Sequence, residues 1–90
     1  MIKLTATQKE VLSALARLRQ QQNRGYTPTE IRDERLRPTT KLVDVNSVYL
    51  RTTTNALKQL AQIVPRIVEG EEVWKLTHVG VVVAQVQLKV

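Results

Sequence analysis

Residues 46–62 read NSVYLRTTTNALKQLAQ, and their apolar side chains recur with the period of an α-helix. At about 100° per residue, four apolar residues and one threonine fall on the same side, which predicts a buried stripe. A helix of this kind needs a core to pack against, so the rest of the chain must supply one. The side predicted to be buried comprises Leu50, Thr53, Leu57, Leu60 and Ala61.

The opposite side of this predicted helix contains small polar, amide and cationic side chains and no acid. Such groups hydrogen-bond base edges and phosphates. We therefore interpret this side as a candidate binding surface. It comprises Val48, Arg51, Thr52, Asn55 and Gln59.

The charge of the chain favours a polyanionic partner. Its 90 residues include 14 Lys and Arg against 8 Asp and Glu, a net charge of +6. Such an excess indicates nucleic acid first and an anionic membrane surface second. The length suits one small domain over residues 1–90, with a core of Leu, Ile, Val and Ala because Phe is absent.

Cysteine is absent, so disulfides and thiolate metal sites are excluded. The N-terminus has no signal-peptide pattern, and no run approaches the roughly 20 apolar residues of a membrane helix. We expect a cytoplasmic protein without a cofactor.

Two helices are predicted before the opening stretch. Thr5 with Gln8 forms a capping-box pair, with Thr7 and Glu10 as a second choice, and the helix should end near Gln22. The residues that follow, Asn23-Arg24-Gly25, are of types that tolerate a left-handed C-terminal turn. Arg17, Arg19 and Arg24 are interpreted as solvated surface.

The segment YTPTE (residues 26–30) predicts the start of a short second helix. Thr27 is the N-cap, Pro28 takes the first helical position, and Glu30 completes a capping box. Ile31 should point inward and Leu36 should close the helix before Pro38. Residues 37–45 then predict a long turn, with Asn46 or Asp44 capping the third helix.

After residue 62 the period changes to that of strands. Residues 63–68 and 73–77 predict a β-hairpin, with Gly70 in the four-residue turn Glu69-Gly70-Glu71-Glu72 at a position that needs positive φ. Pro65 indicates an edge strand or a start delayed to Arg66. Trp74 is interpreted as a packing residue.

The last segment, HVGVVVAQVQLKV (residues 78–90), is predicted to be a helix capped by Thr77. Its β-branched residues favour a strand by propensity, but several valines also follow a helical stripe. A terminal helix would leave an apolar face for another subunit. The stripe comprises Val79, Val82, Val83, Val86 and Val90.

Four short motifs in this order resemble the multiple-antibiotic-resistance-regulator (MarR) superfamily of winged helix-turn-helix proteins. They are LTATQKEVLSAL (residues 4–15), TPTEI (27–31), ALKQL (56–60) and VWKLTHVG (73–80). The resemblance implies an α+β fold, with a three-helix core, a β-hairpin wing and a C-terminal helix. It also implies a transcriptional regulator, found at the nucleoid when bound, whose third helix lies in the DNA major groove.

The resemblance and the charge pattern give a set of expected DNA contacts. The third helix supplies Arg51, Thr52 and Asn55, with Ser47, Lys58 and Gln59 at its margins. Cations around the exit of the second helix suit phosphates, and one arginine lies at the base of the wing. These further residues are Arg32, Arg35, Arg37, Lys41 and Arg66.

The chain departs from the family pattern at three points. The family's glycine between the third helix and the wing is missing from LAQIVPR (residues 60–66). Glu69, Glu71 and Glu72 make the wing tip acidic, so we expect the tip to stay clear of the duplex. Few residues remain for an effector pocket, so no small-molecule effector is expected.

A homodimer through the N-terminal helix and C-terminal segment is expected, since one module reads only a few base pairs.

The alternative is a winged-helix module that binds another protein in a nucleic-acid-processing or regulatory complex, which the acidic wing favours. Binding of single strands or RNA normally needs stacking aromatics, and Tyr26, Tyr49 and Trp74 are few and scattered. We do not expect an enzyme, because His78 is the sole histidine and no catalytic constellation or phosphate-binding glycine loop occurs.

Overall fold

The computed structural model describes residues 3–37 and 46–90, and for residues 46–48 it describes the backbone alone. The described residues form four helices and an antiparallel hairpin, an α+β arrangement compatible with a winged helix. The predicted turn over residues 37–45 lies outside them, apart from Arg37. The elements in chain order are α1 (Ala6–Gln21), α2 (Pro28–Leu36), α3 (Asn46–Gln59), β1 (Ile63–Val68), β2 (Glu71–Leu76) and α4 (His78–Gln87).

Threonine caps begin three of the helices, as the sequence predicted. Thr5 and Thr27 each accept a hydrogen bond from the N3 backbone N–H, and Gln8 and Glu30 complete the two capping boxes. Thr77 caps α4 by accepting from the Gly80 N–H at 3.0 Å. Each cap satisfies backbone donors that a helix start otherwise leaves unpaired, and contributes about 0.5–2 kcal/mol.

The core lies where α1, α2 and α3 meet the inner side of the hairpin and α4. Leu12 and Ile31 are fully buried and Leu15 and Leu57 are 1% exposed. Burying an aliphatic side chain of this size contributes about 1.5–3 kcal/mol. The predicted packing role of Trp74 is confirmed, since it is 5% exposed.

The third helix is shorter than the sequence predicted, because α3 ends at Gln59 and not at residue 62. Leu60 still donates to the Ala56 carbonyl, but Ala61 is exposed in a turn and does not continue the buried stripe. The turn after α3 is held by the Gln62 carbonyl, which faces Thr77 at the start of α4. It accepts hydrogen bonds of 2.8 Å from both the backbone N–H and the hydroxyl of Thr77.

The hairpin turn is tighter than predicted. Val68 pairs with Glu71, so only Glu69 and Gly70 form the turn, and their φ angles are 52° and 80°. Two positive φ values match a type I′ turn, whose twist suits the flanking strands. The predicted role of Gly70 is confirmed, but Glu71 and Glu72 belong to β2.

Tyr26, between α1 and α2, adds a one-residue bridge to the free side of β2. Its N–H donates to the Trp74 carbonyl at 2.9 Å, and the Trp74 N–H donates back at 2.7 Å. Since these groups of Trp74 point away from β1, its register partner Pro65 occupies a position where no N–H is required. Pro65 therefore fits within β1, which begins at Ile63 as an edge strand.

The predicted left-handed turn after α1 is wrong. The C-cap Gln22 is extended, with φ of −151°, and the described residues with positive φ are Glu69, Gly70 and Lys89. Gly25 is needed for close packing instead: a Cβ built on it would lie 2.7 Å from Val73 Cγ2. The absence of a side chain at Gly25 therefore lets residues 25 and 26 pack closely against β2.

The helical prediction for the C-terminal segment is confirmed for His78–Gln87, whereas Leu88 is the C-cap and the last residues do not continue the helix. The valines of α4 do not share one environment. Val83 lies in the core with Gly80 and Ala84. Val79, Val82 and Val86 are exposed. The segment is helical although valine has a low helix propensity, because the contacts of α4 with α1 and β2 override that propensity.

Candidate functional site

The exposed side of α3 is the strongest candidate site. Arg51, Asn55, Lys58 and Gln59 are all exposed, and their spacing places them on one side of the helix. Leu57 and Thr53, at 1% and 0% exposure, lie on the opposite side. The core therefore fixes which side of α3 faces outward. We call the four exposed residues the α3 outer face.

The α3 outer face is cationic and rich in hydrogen-bonding groups. Helix α3 contains no Asp or Glu over its 14 residues. Arg51 and Lys58 supply positive charge, while Asn55 and Gln59 supply planar amides that both donate and accept. A surface of this kind suits a planar, acceptor-rich and negatively charged ligand.

Thr52 is only partly available at this site. It is half-buried, and its hydroxyl donates to the Tyr49 carbonyl at 3.1 Å and accepts from Arg35 Nη1 at 3.3 Å. Its polar group is thus engaged inside the protein. The side chain of Ser47 and all of Lys41 lie outside the described residues.

Arg35 is not on the surface, in contrast to the environment that the sequence interpretation assumed. Its side chain is 4% exposed. The guanidinium donates to Thr53 Oγ1 at 2.6 Å and to Glu10 Oε2 at 2.7 Å, and it lies 5.3 Å from the centre of the Tyr49 ring. The structure assigns Arg35 to the joint between three helices, so its charge is not presented to a partner.

The other cations near α2 pair with acids. Arg32 contacts Asp33 at 2.8 Å with its side chain 16% exposed, and Arg37 contacts Glu34 at 2.8 Å with its side chain 65% exposed. Arg37 is therefore the more accessible of the two. Arg66 is exposed on β1, across from Val73.

The hairpin tip has the opposite charge from the α3 outer face. Glu69, Glu71 and Glu72 are exposed there, next to Ile67 and Val68 at 69% and 52% exposure. The two surfaces differ in charge and in polarity. A polyanion would be attracted to the first and repelled by the second.

Two ion-pair arrangements were missed by sequence reasoning. Glu34 is 5% exposed, accepts a hydrogen bond from Arg17 at 3.4 Å and forms an ion pair with Arg37, so Arg17 is not simply solvated. One sequence signal could have revealed the burial of Glu34. Helix α2 has only two apolar residues to bury, Ile31 and Leu36, so a polar side chain has to complete its buried side.

Arg24 and Glu30 form the second arrangement. They approach to 3.0 Å, and the Arg24 guanidinium lies 4.0 Å from the centre of the Tyr26 ring. The hydrogen bond from Arg24, followed by those from Thr27, holds the pKa of Glu30 below its ordinary value. The same contact raises the pKa of Arg24.

Within residues 3–37 and 46–90, no group of three or more His, Asp or Glu side chains is arranged to hold a metal ion. None of the helices in the same part of the chain is both long and apolar enough to cross a membrane. Comparison of the chain with known protein families, curated proteins and solved structures finds no match.

Proposed function

We propose that this chain is a sequence-specific double-stranded DNA-binding protein, a small transcriptional regulator that reads the major groove with α3. The observation that carries the proposal is the α3 outer face, which is exposed, free of acid and fixed in orientation by the core. The winged-helix-compatible arrangement of the elements supports it.

The dimensions of α3 suit a groove. A helix of 14 residues is about 21 Å long, and a major groove about 12 Å wide admits one α-helix. Arg51, Asn55 and Lys58 recur along one side of α3, so all three can face the groove floor or its walls at once.

Each residue of the face has a distinct role in this proposal. Asn55 pairs with adenine N6 and N7, and Arg51 with guanine O6 and N7, since these side chains match those edges bidentately. Lys58 and Gln59 contact phosphates or flanking bases. We assign Thr52 only a methyl contact with thymine, because its hydroxyl is engaged within the protein.

Phosphate neutralisation supplies most of the affinity in this scheme. The net charge of +6 steers the protein toward DNA, with Arg37 and Arg66 as exposed contributors. We exclude Arg35 from the contacts because it is buried. Arg32 contributes weakly, since it is paired with Asp33.

The test begins with selection of a preferred site from random duplexes, followed by fluorescence anisotropy across a salt series. Lys58→Ala is compared with Lys9→Ala, because both lysines are exposed on helices and both changes remove one charge. We expect Lys58→Ala to weaken binding and to reduce the slope of log affinity against log salt by about 0.9. Lys9→Ala should leave the slope unchanged.

Specificity is tested with Asn55→Ala against Gln20→Ala, an exposed amide on α1. Loss of a bidentate base contact costs about 1–3 kcal/mol of discrimination, so Asn55→Ala should lose roughly 5- to 150-fold of the preference for the selected site. Binding to no duplex, or binding that does not respond to salt, would refute the proposal.

The hairpin tip favours a second candidate function, a module that binds another protein. Exposed Ile67 and Val68 beside three carboxylates suit a partner with a basic and apolar surface. A partner recovered at high salt without nucleic acid, and lost on Ile67→Lys but not on Asn55→Ala, would favour this function over DNA binding.

A further inference from the structure

Glu34 on α2 is the one buried acid among the residues that the structure describes, at 5% exposure. Burying a carboxylate is costly unless cations compensate its charge. Two arginines do so, one at each side-chain oxygen. Arg17 Nε lies 3.4 Å from Glu34 Oε1, and Arg37 Nε lies 2.8 Å from Glu34 Oε2. We call these three residues the Arg17–Glu34–Arg37 cluster.

Arg17 fixes the orientation of the buried carboxylate. In addition to the contact of its Nε with the side chain, its Nη2 donates to the backbone carbonyl of Glu34 at 3.2 Å. The two contacts come from one guanidinium on α1. The carboxylate of Glu34 is therefore held between two helices before any ligand binds.

Arg37 is the accessible member of the cluster, with its side chain 65% exposed. Its guanidinium meets Glu34 through Nε, which leaves Nη1 and Nη2 for another acceptor. These two nitrogens form a planar pair of donors that matches two phosphate oxygens, which a lysine ammonium does not. A long side chain that is free in solution has to be ordered when it binds, at a cost in affinity. The contact with Glu34 orders Arg37 beforehand.

We propose that Glu34 is a positioning residue for phosphate binding, which orients Arg37 so that Nη1 and Nη2 donate to a phosphate of the DNA backbone. The inference rests on the proposed function, since the phosphate belongs to bound DNA. Arg37 contacts the phosphate, and Glu34 acts through Arg37 without touching DNA. Ordering one side chain of this kind costs about 2- to 12-fold in affinity, and we assign a contribution of that size to Glu34.

An acid that assists binding to a polyanion acts against its own charge, and this opposition provides the test. Glu34→Gln raises the net charge of +6 by one unit, and charge alone would strengthen binding to DNA. Loss of the orientation of Arg37 would weaken it. The matched control is Asp33→Asn, which makes the same change of charge at the preceding acid, whose side chain is 63% exposed.

The experiment is fluorescence anisotropy of the full chain on the selected duplex and on a duplex of scrambled sequence. Asp33→Asn should bind both duplexes at least as tightly as the wild type. Glu34→Gln should bind both about 2- to 12-fold more weakly. The loss should be equal on the two duplexes, because phosphate contacts carry no sequence information.

A double variant separates positioning from a structural role of Glu34. In an Arg37→Ala background Glu34 has no guanidinium to orient, so Glu34→Gln should no longer weaken binding and should strengthen it slightly through its charge. A structural effect of Glu34→Gln would persist in this background. Unfolding in urea checks that each variant is folded.

Arg37→Lys gives the same test where Glu34→Gln does not fold, because it keeps the charge and leaves the buried carboxylate in place. Its control is Arg66→Lys, at an exposed arginine that has no ion pair with a described residue. Lysine lacks the planar pair of donors, so both changes weaken a phosphate contact. The loss should be larger for Arg37→Lys, since only Arg37 is oriented in advance.

Equal gains in affinity in Glu34→Gln and Asp33→Asn would overturn the proposal, because Glu34 would then act through its charge alone. A loss that persists beside Arg37→Ala, a loss confined to the selected duplex, or equal losses in Arg37→Lys and Arg66→Lys would overturn it as well. In each of these cases the proposed function stands if Lys58→Ala still lowers the salt slope. A wild-type protein that binds neither duplex would refute both.

Discussion

Arg35 on α2 donates a hydrogen bond of 2.6 Å from Nη1 to the hydroxyl of Thr53, a residue with 0% exposure on the buried side of α3. Its second nitrogen, Nη2, donates to Glu10 on α1. One buried cation thus connects three helices. Because Thr53 lies on the side of α3 opposite Arg51 and Asn55, this connection sets the direction in which the α3 outer face points.

Removing the Thr53 hydroxyl should destabilise the fold. Thr53→Val keeps the shape of the side chain but leaves the buried guanidinium without one acceptor. Hydrogen bonds to charged groups contribute about 1.5–3 kcal/mol, so we expect a decrease of that size in the free energy of unfolding, measured in urea. Thr54→Val is the control. Its half-buried hydroxyl donates to the Leu50 carbonyl within α3, and a loss below about 1 kcal/mol is expected. Equal losses in the two variants would contradict the role of Arg35.

Gly80→Ala tests the contact between α4 and Gln62, in the turn that follows α3. Helix propensity alone predicts stabilisation by about 1 kcal/mol. However, a Cβ at this position would overlap the Gln62 carbonyl oxygen and lie 2.9 Å from Leu76 Cδ2. Overpacking costs about 1–3 kcal/mol, so we expect a lower melting temperature by calorimetry.

Gly70→Ala is the comparison for this prediction. A Cβ on Gly70 meets nothing within 4 Å, and the cost comes only from its φ of 80°. The loss should be about 1 kcal/mol and should not depend on packing. An increase in melting temperature for Gly80→Ala would contradict the prediction, because it would show that the protein accommodates the added methyl group beside Gln62 without strain.

Local signals explain why much of the fold could be predicted from the sequence. Thr5, Thr27 and Thr77 were identified as caps because each is followed by a helical pattern, and Gly70 because only a turn explains it between two β-branched runs. Caps and turns depend on neighbours in the chain. The turn after α3, in contrast, is held by a distant residue, Thr77, whose hydrogen bonds to the Gln62 carbonyl no local pattern reveals.

The candidate site was predictable where periodicity decides exposure. Arg51, Asn55 and Lys58 are exposed because Leu57 and Thr53 occupy the buried side. Arg35 was placed with surface cations because sequence alone does not show that Glu10, 25 residues earlier, and Thr53 converge on it. Long side chains of this type reach partners on other helices, so composition does not reveal their burial.

The Arg24–Glu30 pair should make stability depend on pH. The pKa of Glu30 is lowered in the folded state, so its contribution is fully present above the ordinary glutamate pKa of about 4.3 and is lost as pH falls through the lowered value. Glu30→Gln keeps a capping-box residue at N3 but removes the charge. The difference in unfolding free energy between wild type and Glu30→Gln should be below about 1 kcal/mol at neutral pH and disappear in acid, since the pair is exposed.

Arg24→Gln provides the matched variant for this measurement. It should remove the larger part of the pH dependence, since the hydrogen bond from Arg24 is the first cause of the lowered pKa, and the part caused by the Thr27 hydrogen bonds should remain. The loss in the double variant should be smaller than the sum of the two single losses, because both changes remove the ion pair. A difference that persists at acid pH would assign the effect of Glu30→Gln to the cap and not to the ion pair.

Charge reversal at the hairpin tip distinguishes two ways in which the proposed complex can sit on DNA. If the tip lies on the phosphate backbone, Glu71→Lys with Glu72→Lys creates up to two new phosphate contacts, and the slope of log affinity against log salt steepens by up to about 1.8. We expect the slope to change little, because the exposed carboxylates of the native tip would be repelled from a groove. Affinity should rise only modestly through long-range attraction. A slope that steepens by close to about 1.8 would show that the tip lies on the duplex. The three native glutamates would then weaken a contact between the hairpin and DNA.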